Sequence, residues 1–458
     1  MQIFAVAVFV IVCVCALFDF KRTVLIWMPV QFLFNNQIAV RYATPSFNVY
    51  EAVNLALFAI YWIKCYGREK ERHLNGEPYL FLPLCLLSFL SYLFSTILAI
   101  IPFTTSAIAT IRYFMLSCCV LYIYQRVLND EHDIRLCVRS CAVVISLMTL
   151  LGLYESIMHD NPWLDIVYLT SPQNESTYGR MWYVPPFISE SGDLQMRFGL
   201  VRAYSFAGIH IAYGTACVFF SYLVFTALKN KWQLGLSQKQ WIVLAILLAS
   251  GVFCANSKTG MVGYVFLLLA FVKIKYLSRP IVFIPVVAAI VILLFYVPEF
   301  LKNYYSLFDE NLAVEGGGSS IAMRQHQYVI VKRLFEMNPI FGNGIGSIKI
   351  MKQKAGFEDI LGAESSLFKI LPERGIFGLL VYLYAYFFYF KIMRQYVPLR
   401  ETVFFLLALF VMEAATGTMD ITRYGLFIIL VRSCYKNANA LLQNDKNSIG
   451  NDKFIATS

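Results

Sequence analysis

The sequence is poor in charge. Only 14% of its 458 residues are charged, 59% are apolar, and the mean hydropathy is +0.62. A soluble domain carries about 25% charged residues, and a soluble fold could not keep so much apolar surface from water. The composition therefore excludes a soluble enzyme, a disordered chain, a coiled coil and a nucleic-acid-binding domain. It predicts an all-α, polytopic integral membrane protein embedded in the lipid bilayer.

Metal-ligating patterns and internal repeats are also lacking. The chain has five histidines, and none is spaced with carboxylates or cysteines as metal ligands are. All eleven cysteines lie in apolar stretches or at their edges, where a thiol behaves as a small apolar side chain. The sequence therefore predicts no bound metal, no cofactor and no disulfide framework.

Apolar runs suited to crossing a bilayer fill most of the chain. A spanning helix needs about 20 mostly apolar residues, and by that measure we expect about 12–13 transmembrane helices in a single membrane domain over residues 1–436. The predicted spans are 2–18, 23–40, 48–65, 79–99, 105–125, 136–157, 203–228, 240–256, 259–273, 280–297, 367–390, 401–417 and 420–434.

Lys and Arg set the predicted orientation. They gather in every second loop between the predicted helices, as a single cytoplasmic face requires. The N-terminus is then outside and the C-terminus inside. The net charge of +10 reflects these loops, and we expect no nucleic-acid partner. Residues 437–458 are polar and predict a disordered cytoplasmic tail.

Two long loops, about 158–202 and 298–366, fall on the outer face. The second contains a helical pattern around 321–337 and the turn Gly342-Asn-Gly-Ile-Gly346, so we expect the loops to be partly helical. The turn lacks the strand and the βαβ setting of a dinucleotide site. Loops of this length are usually functional.

Ionisable residues also gather toward the outer face. A charged side chain at the centre of a spanning helix costs about 2.5–3.5 kcal/mol on insertion scales, so each needs an explanation. Snorkelling or local pairing, such as Asp420 with Arg423 or Lys369 with Glu373, explains single residues. Convergence on one face favours a site for the following group: Arg112, Glu155, Arg202, Lys258 and Glu413.

Guanidinium groups at this depth suit a lipid diphosphate. Arg forms bidentate, charge-assisted bonds to phosphate, and nearby cations stabilise a departing diphosphate. A glycosyl diphosphate also needs an acceptor hydroxyl delivered by a base. The second loop supplies Arg324 and two candidate catalytic bases, Glu364 and His326.

Four short motifs carry a family resemblance. They are Arg202-Ala-Tyr-Ser-Phe-Ala-Gly, Ser257-Lys-Thr-Gly260, Arg324 followed by Asn338-Pro-Ile-Phe-Gly-Asn-Gly-Ile-Gly346, and Glu364-Ser-Ser-Leu-Phe with Glu373-Arg-Gly-Ile-Phe-Gly378. With these motifs in this order between the predicted helices, the chain resembles the bacterial O-antigen polymerase and O-antigen ligase superfamily, the Wzy/WaaL-like proteins. The resemblance is strongest over residues 197–380.

The resemblance implies a GT-C-like fold in the bacterial plasma (inner) membrane. It implies a metal-independent glycosyltransferase with a polyprenyl-diphosphate-linked donor, in which Arg202 and Arg324 engage the diphosphate. Lys258 stands where the family has Arg. Further candidates for binding the diphosphate are Arg197, Lys258 and Arg112. Asp420 and Arg423 are predicted to support the site.

A polysaccharide repeat-unit polymerase is the favoured function. Its partners would be an undecaprenyl-diphosphate-linked oligosaccharide donor and acceptor, with a chain-length regulator as a further candidate. An O-antigen ligase is the nearest alternative, but ligases of the family usually carry His near Glu364.

Two other classes are less favoured. Polyprenyl-phosphate protein glycosyltransferases carry an acidic pair in the first outer loop, and the corresponding 41–47 has no acid. A lipid-linked oligosaccharide flippase would spread polar residues through the membrane depth and show repeat symmetry.

Overall fold

The computed structural model is dominated by helices. It describes residues 1–34, 38–41, 47–66, 79–170, 196–197, 200–271, 302, 305–306, 308–315, 321–351, 365–416 and 424–437. The first helices are α1 (Gln2–Phe18), α2 (Phe20–Val30), α3 (Val49–Tyr66), α4 (Leu82–Ile97), α5 (Phe103–Tyr113), α6 (Val120–Val127), α7 (Glu131–Met158) and α8 (Pro162–Thr170).

The later helices follow the first long loop. They are α9 (His210–Lys229), α10 (Gln238–Cys254), α11 (Lys258–Phe271), α12 (Glu310–Glu315), α13 (Ile321–Met337), α14 (Ser347–Met351), α15 (Ser366–Arg394), α16 (Leu399–Thr416) and α17 (424–437). A π-helix, Phe114–Cys119, joins α5 to α6. Two small antiparallel pairs are β1 (Ala39–Arg41) with β2 (Phe47–Asn48), and β3 (Met196–Arg197) with β4 (Leu200–Val201).

Three described helices are long and apolar enough to cross a membrane: α7, α9 and α15. Four shorter helices, α1, α4, α10 and α11, are also apolar. Together they support the membrane protein that the composition predicts. The predicted span 280–297 and the tail from 438 onward lie outside the described residues.

The described helices run back and forth between two ends of the bundle. We call one end the Arg202 end. There, backbone hydrogen bonds join segments that are distant in the sequence: Ile100 N donates to Asn343 O (3.2 Å), and Ala203 N donates to Cys254 O (2.9 Å). The other, which we call the Lys229 end, holds contacts near the opposite ends of the same helices. Its bonds are Lys21 to Asp133 (2.7 Å), Arg139 to Gly235 O (3.3 Å) and Arg400 to Leu269 O (2.6 Å).

Small residues let the central helices approach closely. A Cβ on Gly152 of α7 or Gly251 of α10 would lie 2.2 Å or 2.9 Å from the Tyr213 hydroxyl of α9. A Cβ on Gly260 of α11 would meet the backbone of Gly214 at 3.2 Å. These contacts fix α7, α10 and α11 around α9, whose first residue lies at the Arg202 end.

Where the predicted spans fall on described residues, helical segments lie along each of them, with two clear differences in extent. The span 23–40 is wrong as one helix, because α2 ends at Val30, one turn of 3-10 helix follows, and 39–41 forms a strand. Pro29 lies near this end and removes a backbone donor. The span 203–228 begins later, at His210, because Ser205 (φ +50°) and Gly208 (φ +69°) interrupt the helical backbone. The helical pattern at 321–337 is confirmed as α13.

Candidate functional site

Two of the predicted basic residues lie on adjoining segments of the Arg202 end. The backbone N–H of Ala203, the residue after Arg202, donates to the carbonyl of Cys254 at 2.9 Å. The chain then turns through Asn256, whose φ of +41° is left-handed, and Lys258 begins α11. The structure therefore brings together the Arg202 and Lys258 segments, which lie 56 residues apart in the sequence.

Arg202 is held against a histidine. Its guanidinium lies within hydrogen-bonding distance of Nε2 of His210, the first residue of α9. A guanidinium can only donate, so Nε2 must accept and the proton of a neutral ring must sit on Nδ1. The ring of Tyr204 packs edge-on to His210 at 5.6 Å. Arg202 is half-buried, and the contact with His210 fixes the direction of its side chain.

A buried carboxylate fixes the backbone that follows Arg202. Glu155, at the last turn of α7, is 0% exposed. Its Oε2 accepts hydrogen bonds from Tyr204 N (2.9 Å), Ser205 N (2.8 Å) and Asn161 Nδ2 (2.8 Å). A buried acceptor that satisfies three donors is costly to remove. Glu155 therefore locks the left-handed turn at Ser205 and, through it, the position of Arg202.

Asn161 and Ser205 complete this lock. The Asn161 amide also donates to the Ser205 carbonyl (3.1 Å), and its oxygen accepts from Leu164 N (3.0 Å) at the start of α8. The Ser205 hydroxyl donates to Met148 O (2.7 Å). The sequence singled out Glu155 as a charged residue near the end of an apolar helix, but it did not indicate its role as an anchor for Arg202.

Lys258 connects its turn to the second long loop. Its ammonium donates to the Ser306 hydroxyl at 2.8 Å, and Ser306 is fully buried. The preceding Ser257 hydroxyl accepts from Gly260 N (3.4 Å) in the first turn of α11. The ammonium is therefore held at the loop rather than extended into water.

Arg324 lies in the first turn of α13 and is half-buried. Gln327, three residues later on the same helical face, is 5% exposed. Helix α13 packs against α15, which is the next membrane-crossing candidate along the chain. His326 is part of the backbone of α13, and Arg197 is part of β3. The positions of their side chains, like Glu364, Asp420 and Arg423 as a whole, lie outside the described part of the chain.

Arg112 belongs to a different contact. Its Nε lies 3.5 Å from Glu51 Oε1, and its guanidinium sits 5.6 Å from the ring of Phe47. Glu51 also accepts from Asn48 N at 3.1 Å. This pairing favours a structural role for Arg112, in tying α5 to the β1–β2 hairpin, over a role in binding diphosphate.

The glycine-rich turn 342–346 docks on a break in α15. Gly375 has φ +64° and ψ −163°, and the carbonyls exposed by this break accept from the turn: Asn343 N bonds Pro372 O at 2.8 Å and Gly344 N bonds Glu373 O at 3.2 Å. A Cβ on Gly342 would lie 2.3 Å from the Glu373 backbone. The sequence predicts the turn but not the surface that it covers.

Glu373 is part of this docking. It is 5% exposed, and its Oε1 accepts from Gly346 N at 3.0 Å. The charge of Lys369 acts on Glu373, as the i,i+4 spacing predicts, and the hydrogen bond to Oε1 comes from the backbone N–H of Gly346.

A further carboxylate lies beside the end of the second loop. Glu413, 2% exposed near the end of α16, accepts hydrogen bonds from the hydroxyls of Ser366 and Tyr424. Ser366 begins α15 two residues after Glu364. Glu413 therefore fixes the start of α15 and the start of the described part of α17 at the Arg202 end.

Residues 243–383 match the family model Wzy_C, described as O-antigen ligase. The match supports the O-antigen ligase and polymerase superfamily. It covers the Lys258 turn, Arg324, the glycine-rich turn and the break in α15, whereas Arg202 and its Glu155 anchor precede it. No curated protein matches the chain.

The family match supports an enzyme of the O-antigen polymerase or ligase type that transfers glycans. Within the described residues, no group of three His, Cys, Asp or Glu side chains is arranged to hold a metal ion.

Proposed function

We propose that the protein is a polysaccharide repeat-unit polymerase. It transfers a glycan from an undecaprenyl-diphosphate carrier to a sugar hydroxyl of another lipid-linked repeat unit. The observation that carries the proposal is the junction of the Arg202 and Lys258 segments, fixed by Glu155 and tied to the second loop by Ser306. Such a junction at the end of a helical bundle suits a lipid diphosphate at the membrane surface.

In the proposed reaction, Arg202 and Lys258 bind the diphosphate oxygens, with Arg324 from α13. As the bond between the sugar and the diphosphate breaks, negative charge builds on the departing diphosphate. Fixed cations stabilise that charge without reorganising, which is the largest contribution in many enzymes. These side chains supply the positive charge, so the proposed reaction requires no metal.

The acceptor hydroxyl needs a base, and Glu364 and His326 are the proposed candidates. Both flank the described site in sequence, because Glu364 precedes the Glu413-bound Ser366 by two residues and His326 follows Arg324 by two. We expect Glu364→Gln to reduce chain growth more than His326→Ala. The reverse ranking would assign the base to His326.

Glu364 favours polymerase over ligase, because ligases that the chain resembles usually carry His near this position. A flippase is supported less well, because the proposed diphosphate-binding residues Arg202 and Lys258 lie on adjoining segments at one end of the bundle and not through the membrane depth. In this proposal the Arg202 end faces outward from the bacterial plasma membrane, with the N-terminus outside and the C-terminus in the cytoplasm. Reporter fusions at the two termini test this orientation.

Purified protein in nanodiscs with an undecaprenyl-diphosphate repeat unit from the source strain tests the function. A gel ladder of added repeat units, formed without lipid A core, is the expected result. Transfer that occurs only after lipid A core is added would establish a ligase instead. Absence of transfer under both conditions, with a repeat unit that the source strain polymerises, would contradict the glycosyltransferase.

A matched pair of variants on α13 tests the predicted cation. Arg324→Ala removes a half-buried charge, and we expect no ladder from it at an unchanged protein level. Lys332→Ala removes an exposed charge from the same helix, where Lys332 faces Glu336 at 3.8 Å. We expect a normal ladder from this control. A normal ladder from Arg324→Ala would remove Arg324 from the site.

A further inference from the structure

The break in α15 frees two backbone N–H groups, those of Ile376 and Phe377. In an unbroken helix each would donate to the carbonyl four residues earlier. Here Ile376 N donates to Pro339 O at 2.8 Å, and Phe377 N donates to Ile340 O at 3.0 Å. The two carbonyls that lose these partners are the ones that accept from the glycine-rich turn. The segment 339–344 therefore satisfies all four backbone groups of two lost helical bonds.

Such complete pairing is what a membrane requires of irregular backbone. Hydrocarbon offers no water to N–H and C=O groups, so a non-helical segment is tolerated at membrane depth only where the protein itself satisfies them. Helix α15 is long and apolar enough to cross a membrane. The segment also closes on itself, since Gly342 N donates to Asn338 O at 2.9 Å. A Cβ on Gly375 would lie 2.3 Å from Ile340 O, so the two backbones are in direct contact.

The side chains on the outer side of this segment are apolar. Met337 and Ile340 are 52% and 58% exposed, and residues 337–348 contain no charged side chain. The charged pair of Lys332 and Glu336 (3.8 Å) precedes the segment on α13. A contiguous exposed apolar patch usually marks a surface that another molecule covers.

The surface next to this patch favours lipid as its cover. Ile376, bonded to Pro339, is exposed and begins a row of exposed apolar side chains along α15: Ile376, Leu380, Leu383 and Phe387. The row extends about 16 Å at the helical rise. An apolar face that a membrane-crossing helix leaves uncovered packs against lipid chains, which are as apolar as leucine. Ile340 lies at the start of this row.

Three aromatic rings join the segment to the neighbouring helices. The ring of Phe341 lies 5.2 Å from Phe94 of α4 and 5.9 Å from Phe377 of α15. The Asn338 amide also lies 3.5 Å from Leu98 O at the end of α4. The patch is therefore continuous with the apolar surfaces of two helices of the bundle.

The residue before the break indicates the depth. Arg374 stacks its guanidinium on the ring of Tyr92 of α4 at 4.7 Å. Tyrosine is enriched where a membrane meets water, and arginine near the end of a spanning helix extends to the same level. Gly375 lies nine residues after Ser366, the first residue of α15. The segment is thus placed at the boundary between lipid headgroups and acyl chains at the Arg202 end.

We propose that residues 337–341 dip into the leaflet at the Arg202 end, where Met337 and Ile340 contact lipid acyl chains. This part of the second long loop is then embedded in the membrane and is not an aqueous connector. It holds the end of α13, the helix that carries Arg324, at the membrane surface. The contact with lipid does not depend on the proposed polymerase activity.

Photocrosslinking of the full-length protein tests this contact. An amino acid with a benzophenone side chain is placed at one position at a time, and the protein is illuminated in nanodiscs of phosphatidylethanolamine and phosphatidylglycerol. Intact mass spectrometry measures the lipid adducts. Ile340 is the test position, Leu380 is the reference on the lipid-facing row, and Lys332 is the exposed control on α13.

The adduct yield at Ile340 should be comparable to that at Leu380. It should exceed the yield at Lys332 about fivefold or more, because a charged pair is excluded from hydrocarbon. A yield at Ile340 as low as at Lys332 would overturn the proposal. A product of two crosslinked chains from Ile340 would also overturn it, since a second copy would then cover the patch.

Two substitutions at the same position give an independent measurement. Ile340→Asp should lower the melting temperature in the nanodiscs by about 5 °C or more, because a charge among acyl chains is costly. Ile340→Leu should melt like the wild type. Equal melting temperatures for the two variants would count against the contact. If Ile340→Asp does not fold, the crosslinking yields decide.

Discussion

The two ends of the bundle hold their buried carboxylates in different ways. At the Arg202 end, Glu155 and Glu373 accept hydrogen bonds from neutral N–H groups. At the Lys229 end, Asp133 and Glu401 pair with lysines. At the Lys229 end, basic side chains therefore stabilise buried carboxylates, whereas at the Arg202 end neutral N–H groups do so.

The Arg202 end also holds an ion pair of the other kind, Arg112 with Glu51. It joins the β1–β2 hairpin to α5 rather than the Arg202 and Lys258 segments. The difference between the ends therefore concerns the region around the junction. It predicts that changes at the Arg202 end damage both stability and activity, and that changes at the Lys229 end damage stability alone.

The largest effect is expected at the glycine-rich turn. Gly342→Ala places a methyl group 2.3 Å from the Glu373 backbone at φ +77°. Strain and overpacking together should lower the free energy of unfolding by about 3 kcal/mol. Gly346→Ala is the matched control, since its φ is +87° but no atom lies within 4 Å of the added carbon. The melting temperature of the control should be well above that of Gly342→Ala. Equal melting temperatures would show that the turn does not pack closely against the break in α15.

The second effect concerns the anchor of Arg202. Glu155→Ala leaves the donors of Tyr204, Ser205 and Asn161 without their acceptor in a buried site. The expected loss is about 2–3 kcal/mol of unfolding free energy, with lower glycan transfer by the protein that remains folded. Glu155→Gln keeps one oxygen for these donors and should recover most of both. If the alanine variant transferred glycan normally per folded molecule, Glu155 would not position Arg202.

The third effect is at the Lys229 end. Lys229→Gln leaves the buried carboxylate of Glu401 with the Tyr435 hydroxyl at 3.2 Å as its described donor. Because Lys229 is partly exposed, we expect a loss of about 1–2 kcal/mol. Glycan transfer per folded molecule should not change. A selective loss of activity would break the distinction between the two ends.

The smallest effect is at the surface of the same end. Lys21→Gln removes contacts to Asp133 (2.7 Å) and Asp130 (3.2 Å), and solvent screens much of their energy. A loss of about 0.5–1 kcal/mol is expected, falling in high salt. Arg135→Gln, which removes an i,i+4 pair with Glu131, should cost about 0.5 kcal/mol or less. A salt-independent melting temperature difference for Lys21→Gln would contradict this assignment.

Helix positions and their alternation between two ends could be predicted from the sequence. Both follow from local patterns, namely apolar runs of sufficient length and clusters of Lys and Arg between them. Helix α13 shows the strength of such patterns, since its bounds match the prediction. The strand at 39–41 shows the limit, because an apolar run does not specify helix when proline breaks it and a hairpin partner is present.

The site could be predicted only in part. Arg202 and Lys258 stood out as basic residues at helix ends, but their junction depends on a hydrogen bond between Ala203 and Cys254. The Glu155 bond to Ser205 spans 50 residues, and the Ser95 hydroxyl bond to Glu373 O (2.5 Å) spans 278. Contacts at such separations leave no periodic pattern in the sequence.

Binding of the carrier lipid tests the central claim most directly. Undecaprenyl diphosphate is titrated onto wild-type protein, Arg202→Gln and Lys391→Gln in nanodiscs, the last being an exposed charge at the Lys229 end. We expect about tenfold or greater weakening of binding for Arg202→Gln, because charge-assisted bonds are lost, and wild-type binding for Lys391→Gln. Equal binding by Arg202→Gln and the wild type would contradict the diphosphate site at the Arg202 end.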